Sequence, residues 1–218
     1  MPEESPSPPL RPLQDVWLKP RRVFRELATQ PIGRIDYLLG AAQGIVSWLA
    51  LSRAQSAGAG GSVMAILGKA ILIGPIAGVL GLYLMAAIYT RLGNRAGGVS
   101  TRTQIFHVLA YSGVPMLASL GLWLIAALFA GEPTFIEPPR PDLEPFLALI
   151  LEVQFIAHIV LIAWSLLLQV MGFSEVEGFA MRRAFGIWVL GQVLVALAMF
   201  LLAIVIYGTG LGSGTAPG

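Results

Sequence analysis

The chain has 218 residues, 56% of them hydrophobic and 12% charged, with 14 Lys+Arg against 12 Asp+Glu and no Cys. Soluble domains carry about 25% charged residues, so a soluble globular fold is excluded, and the absence of Cys excludes disulfides, thiolate catalysis and Cys-ligated metals. The pI of about 9.2 comes without any long basic run interleaved with aromatics, which excludes nucleic acid as a partner.

Residues 1–12 (MPEESPSPPLRP) are rich in Pro, Ser and Glu and read as a disordered tail. The first sixteen residues are too polar and Pro-rich for a cleavable signal peptide, which leaves the first apolar segment as an uncleaved anchor. From 13 to 30, Leu13, Val16, Trp17, Pro20, Phe24 and Leu27 recur at spacings of three and four, with Lys19, Arg21, Arg22 and Arg25 largely between them. Such a basic amphipathic segment is suited to the headgroup layer; the other reading is a helix packed on the inner face of the bundle. Pro20 is placed to open its helical part. Five apolar spans follow, at about 35–52, 66–90, 105–130, 146–170 and 186–208. A helix needs about 20 apolar residues to cross a ~30 Å hydrocarbon core, so the first span, which contains Gln43, is marginal.

The charges decide the case. Arg11, Lys19, Arg21, Arg22, Arg25 and Arg34 precede span one, Arg91, Arg95 and Arg102 lie between spans two and three, and Arg182 and Arg183 lie between spans four and five. The remaining gaps hold Arg53, with Lys69 at the start of span two, and Arg140 among acids. Basic and non-basic gaps alternate, as the positive-inside rule requires. If span one did not cross, the arginine-bearing loop would face outward and the acidic one inward. The pattern predicts an all-α integral membrane protein: a five-helix transmembrane bundle with an N-terminal amphipathic interfacial helix. It places a membrane domain at 13–208, the N-terminus in the cytoplasm and a flexible external tail at 209–218. Of the outer connectors, 56–62 (SAGAGGS) reads as flexible. The segment 131–145 (GEPTFIEPPRPDLEP) reads as a stiff, solvated, polyproline-like cap, with partner docking or cation attraction as its other use. Arg in excess of Lys and abundant Ala and Gly point to a GC-rich bacterium and so to a bacterial inner membrane.

Within the spans, Gly40 and Gly44 stand at GxxxG spacing, and Ala70, Gly74 and Gly78 form one small-residue stripe. Small residues let helix backbones approach closely in lipid, so these positions predict helix packing. Pro75 and Pro115 predict kinks. Intramembrane ionisable groups are functional candidates because they are costly there. Lys69 and Glu152 lie at comparable depth toward the outside and are candidates to pair, the other reading being that Lys69 snorkels alone. Gln154 and His158 share a face, with an interhelical hydrogen bond or a proton relay as their uses. His107 near the inner interface reads as an amphipathic anchor. Tyr111, Ser112 and Pro115 complete a possible intramembrane polar site. The stretch Ala110–Gly113 (AYSG), with His158 following Ala157, invites comparison with a rhomboid-type Ser–His dyad. A depth difference of roughly 8 Å at 1.5 Å per residue separates Ser112 from His158, against a required reach of about 3 Å. No catalytic residue, metal site or cofactor is expected, and no HExxH, P-loop or Rossmann glycine pattern occurs.

Three stretches carry a resemblance. They are DVWLKPRRVFRELATQP (15–31), GGVSTRTQIFHVLAYSGVP (97–115) and GFSEVEGFAMRRAF (172–185). In order and sidedness they resemble the entry segment, the glycine-bearing inner loop before a Tyr-Ser-x-x-Pro helix start, and the loop before the last helix of the Yip1 domain family, in its bacterial form. The resemblance covers about 15–208 and implies a five-helix integral membrane protein with a cytoplasmic N-terminus. Eukaryotic relatives act with small GTPases in vesicle trafficking. This chain departs from their pattern at Ala110, and at Asp36–Gly40, where the Pro of their acidic motif is missing. A GTPase-linked role is therefore not carried over.

The function expected is that of a non-enzymatic membrane protein that organises or assists other membrane components. Trp17, Lys19, Pro20, Arg21, Arg22, Phe24 and Arg25 would contact anionic lipid at the cytoplasmic face, or a membrane-protein partner. The alternatives are a small-solute transporter or channel lined by Tyr111, Ser112, Gln154 and His158, and, more remotely, an intramembrane serine protease.

Overall fold

Long apolar runs punctuated by Pro, Gly and capping side chains become helices in the computed structural model, which describes residues 10–138 and 142–208. In chain order these are α1 (Pro12–Asp15), α2 (Pro20–Leu27), α3 (Arg34–Ala54), α4 (Val63–Arg95), α5 (Arg102–Ser112), α6 (Val114–Ala130), α7 (Pro145–Glu177) and α8 (Met181–Gly208). Short 3-10 turns at Ala57–Ala59 and Glu132–Phe135 lie between them. Local chemistry sets the ends. The Ser62 hydroxyl accepts from Ala65 N–H and the Glu144 carboxylate from Leu147 N–H, while Thr101 and Gln104 form a reciprocal capping box. Gly178 closes α7 at φ +70, a left-handed position that favours glycine. Among the described residues, four stretches are long and apolar enough to cross a membrane, namely α3, α4, α5 with α6, and α7. The fifth predicted span forms the 28-residue α8. Residues 1–9 of the tail predicted at 1–12, the predicted tail 209–218, and residues 139–141 of the proline-rich connector lie outside the described residues, whereas Leu10 packs on the core and Pro12 opens α1.

The tightest junction joins α3 to α4. A Cβ on Gly44 would overlap the Gly74 carbonyl and lie 2.7 Å from Gly78 Cα, and one on Gly78 would overlap the Gly40 carbonyl. Backbone therefore packs on backbone over this stretch, an arrangement open only to the smallest side chain. Pro75 sits inside an uninterrupted α4. The third predicted span is two helices rather than one kinked helix. Pro115 has no N–H to continue the ladder, so α5 ends at Ser112 and α6 starts at Val114 with Pro115 in its first turn. Gln43 crosses from α3 to this break, its Nε2 donating to the Ala110 carbonyl at 2.8 Å. Gly113 leaves the room for it, since a Cβ there would overlap the Gln43 amide. The residue that made span one marginal is thus an interhelical tie.

Three expectations are corrected here. The 13–30 segment is not an interfacial helix with its apolar face in lipid. Val16, Val23, Phe24 and Leu27 are buried in the same core as Phe106, Val108 and Phe173, with Phe24 only 1% exposed. Gly172 of α7 admits the Phe24 ring. Burying such side chains is worth about 1.5–3 kcal/mol each against water, which seats α2 on α5 and α7. The 56–62 connector is not a free tether. Gly58 is buried, and a Cβ on it would overlap the Glu132 carbonyl. The start of the 131–145 segment is not a solvated cap either. Thr134 and Phe135 are fully buried, the Phe135 ring stacks on Trp123 at 5.8 Å, and the Thr134 hydroxyl donates to the Ala126 carbonyl.

Candidate functional site

Polar side chains that the apolar helices cannot hide alone collect in two clusters, one at each end of the bundle. At the first end the three stretches singled out in the sequence meet. Asp36, in the first turn of α3, takes the Gly33 N–H on Oδ2 at 2.8 Å and contacts His107 Nδ1 through Oδ1 at 2.6 Å. His107 Nε2 faces the Gln30 carbonyl at 3.1 Å. A carbonyl only accepts, so Nε2 carries a proton and a second lies between Nδ1 and the carboxylate. Both side chains are almost fully enclosed. The reading of His107 as an interface anchor is therefore corrected: it is an internal ion-pair partner.

Beside it, Gln104 Nε2 donates to the Ala28 carbonyl, tying α5 to α2. The buried Glu177 carboxylate accepts from Ser100 N–H at 3.2 Å and Ser100 Oγ at 2.7 Å. It lies so close to Gly93 and Gly98 that a Cβ on either would overlap it. Arg183 donates to the Ala96 carbonyl and covers the Phe179 ring, and Arg25 pairs with Glu175 at 2.7 Å.

The consequence is electrostatic. Glu26 is held by Arg22, Glu175 by Arg25, Asp36 by His107 and Glu177 by Ser100, and Asp15 caps the Arg11 N–H. Among the described residues, the acids of this end are therefore engaged. Lys19, Arg21, Arg34, Arg91, Arg95, Arg102 and Arg182 are exposed and make no ion pair among the described residues. Leu18, between α1 and α2, is 87% exposed beside Lys19. A groove of about 480 Å³ between α7 and α8, lined by Leu166, Leu167, Val170, Phe185 and Trp188, also has Arg182 in its wall.

At the second end, Arg53 is the organiser. It pairs with Glu137 at 2.8 Å, donates to Gln154 Oε1 at 3.0 Å and lies over the Phe155 ring. One turn along α7, His158 meets Trp123 edge-on at 5.7 Å.

Of the residues anticipated for surface contact, Lys19 and Arg21 are exposed, Trp17 is half-buried, and Pro20 opens α2. Arg22 and Arg25 are engaged as above, and Phe24 is in the core. Of the intramembrane set, Gln154 and His158 come together, whereas Tyr111 lies in the core cluster with Phe24 and Ser112 donates to the Leu109 carbonyl. No hydrogen bond joins Ser112 to His158 among the described residues. Lys69 and Glu152 are both exposed and form no ion pair there, so the anticipated pairing is corrected. Each points away from the bundle rather than toward the other helix.

Asp36, Arg53, Glu137, Glu177 and Trp123 went unremarked as site residues. A signal existed for one pair, because Asp36 and His107 each fall within the first residues of their spans at the same face and so at one depth.

A family model described as the Yip1 domain matches residues 15–205. No curated protein and no solved structure matches the chain.

Proposed function

The chain belongs to the Yip1 domain family and is an integral membrane protein, and from that premise we propose that it is a non-enzymatic organiser of membrane components working through its basic end. In this reading it crosses a bacterial inner membrane five times. The basic end and N-terminus face the cytoplasm, and the C-terminus lies outside. The observation that carries the reading is the imbalance at that end. Its described carboxylates are held in internal contacts, while Lys19, Arg21, Arg34 and Arg182 are exposed and make no ion pair among the described residues, around a hydrogen-bonded cap. A surface of fixed cations beside exposed Leu18 and an apolar groove complements anionic phospholipid, or an acidic patch on a membrane-protein partner. Each Lys or Arg near an anionic membrane surface contributes about 1 kcal/mol. A solute pathway lined by Tyr111, Ser112, Gln154 and His158 draws less support, because Tyr111 and Ser112 make contacts apart from Gln154 and His158.

Lys19, Arg21 and Arg182 make no ion pair, so exchanging all three for Gln leaves the fold intact. In native mass spectrometry of the full chain from mild detergent, the wild type retains phosphatidylglycerol in preference to phosphatidylcholine. The triple variant weakens that preference by up to about 3 kcal/mol, on the order of a hundredfold. An unchanged preference contradicts the proposal.

A further inference from the structure

Between α6 and α7, buried side chains carry polar atoms that no protein group answers among the described residues: Trp123 Nε1, Gln154 Nε2, His158 Nδ1 and Ser165 Oγ. The first three belong to one spot. His158 and Trp123 are in ring contact, and Gln154 is one turn from His158 on the same face of α7. All three are more than nine-tenths buried. Ser165 continues that face seven residues on, about 10 Å farther along the helix. An unanswered buried donor costs about 1–3 kcal/mol, and folded proteins leave few of them.

The chemistry of the three atoms specifies what completes them. An indole N–H and an amide NH₂ only donate, and an imidazole Nδ1 takes either role. Arg53 occupies Gln154 Oε1, which fixes the amide so that its NH₂ is the free side. The complement must therefore be small, accept from two N–H groups, and donate or accept at a third. Water meets that description, since a buried water typically makes about three hydrogen bonds to groups otherwise unsatisfied.

We infer that Trp123, Gln154 and His158 form an internal water-binding site that hydrates His158 deep in the bundle. His158 lies about 20 Å along α7 from Pro145, toward the middle of a helix about 50 Å long. Arg53, which donates to Gln154, has a side chain 9% exposed and pairs with Glu137, which is 46% exposed, so the site adjoins the exposed end of the bundle. The two histidines are thus opposites. His107 is answered by protein on both nitrogens, while His158 exchanges hydrogen bonds with water. This inference does not depend on which face of the membrane is cytoplasmic.

Radiolytic hydroxyl-radical footprinting of the full chain in lipid nanodiscs tests it, because radicals form where water sits. Trp164 on the lipid-facing side of α7, 38% exposed, is the internal comparison. Trp123 is expected to oxidise several-fold faster than Trp164 despite its deeper burial. His158→Phe, which keeps the ring contact and removes the nitrogen, is expected to slow Trp123 several-fold. A wild-type Trp123 rate no greater than that of Trp164 overturns the inference whether or not the variant folds, and so does a folded His158→Phe variant with an unchanged rate.

Discussion

Asp36→Ala lowers the stability of the folded chain by about 3–5 kcal/mol. That is the range for removing one member of a buried ion pair, because the survivor is left without its partner, either charged or forced to neutralise. His107 would keep its Gln30 contact but leave Nδ1 without its partner, and the Gly33 N–H would lose its cap as well. His107→Leu strands the carboxylate instead and costs a similar amount. The two losses do not add. In Asp36→Leu/His107→Leu neither charge remains, Gln30 and Gly33 are exposed and regain water, and the double variant is more stable than either single one. Thermal unfolding in one mild detergent, arranged as a double-mutant cycle, yields the coupling directly. Single variants within about 1 kcal/mol of wild type would mean that the pair is not enclosed as described.

The α3–α4 junction predicts the second large effect. Gly44→Ala or Gly78→Ala forces a methyl group into the backbone of the facing helix. Packed cores lose about 1–3 kcal/mol to such excess volume, and backbone cannot swing aside as a side chain can, so a loss at the upper end is expected. The comparison lies on α4: a Cβ on Gly68 or Gly81 meets nothing within 4 Å. There the same substitution removes the penalty of glycine in a helix, and stability rises by about 0.5–1 kcal/mol. Melting curves of the four variants should split into two pairs of opposite sign. Equal responses would contradict backbone contact at this junction.

These cases show what the sequence makes legible. Helix existence follows from long apolar runs, and the Gly40/Gly44 and Gly74/Gly78 spacing is visible because a helix repeats every 3.6 residues. The break at Gly113 was harder to see, since a proline inside an apolar run kinks some helices and divides others; here Gln43 stabilises the divided form. The periodicity of α2 shows that one face is apolar, but lipid and protein both satisfy such a face, and only the fold places Phe24 against Gly172. Lys69 and Glu152 lie on α4 and α7, which are apolar nearly all round, so no stripe in either helix says which way a single charge points. The Asp36–His107 contact joins residues 71 apart. Equal depth hints at it, but pairing is a relation between helices that one helix does not encode. Arg53 and Glu137 were missed for the same reason.

The proposal requires five crossings that bring Lys19, Arg21, Arg34, Arg91, Arg95, Arg102 and Arg182 to one membrane face. The native chain has no Cys, so single cysteines at exposed Thr29, Gly60, Val99 and Glu132 report sidedness cleanly when intact cells are treated with a membrane-impermeant maleimide. Gly60→Cys and Glu132→Cys are expected to label in intact cells, and Thr29→Cys and Val99→Cys only after the membrane is permeabilised. Labelling of Val99→Cys in intact cells, or protection of Gly60→Cys, would contradict the account.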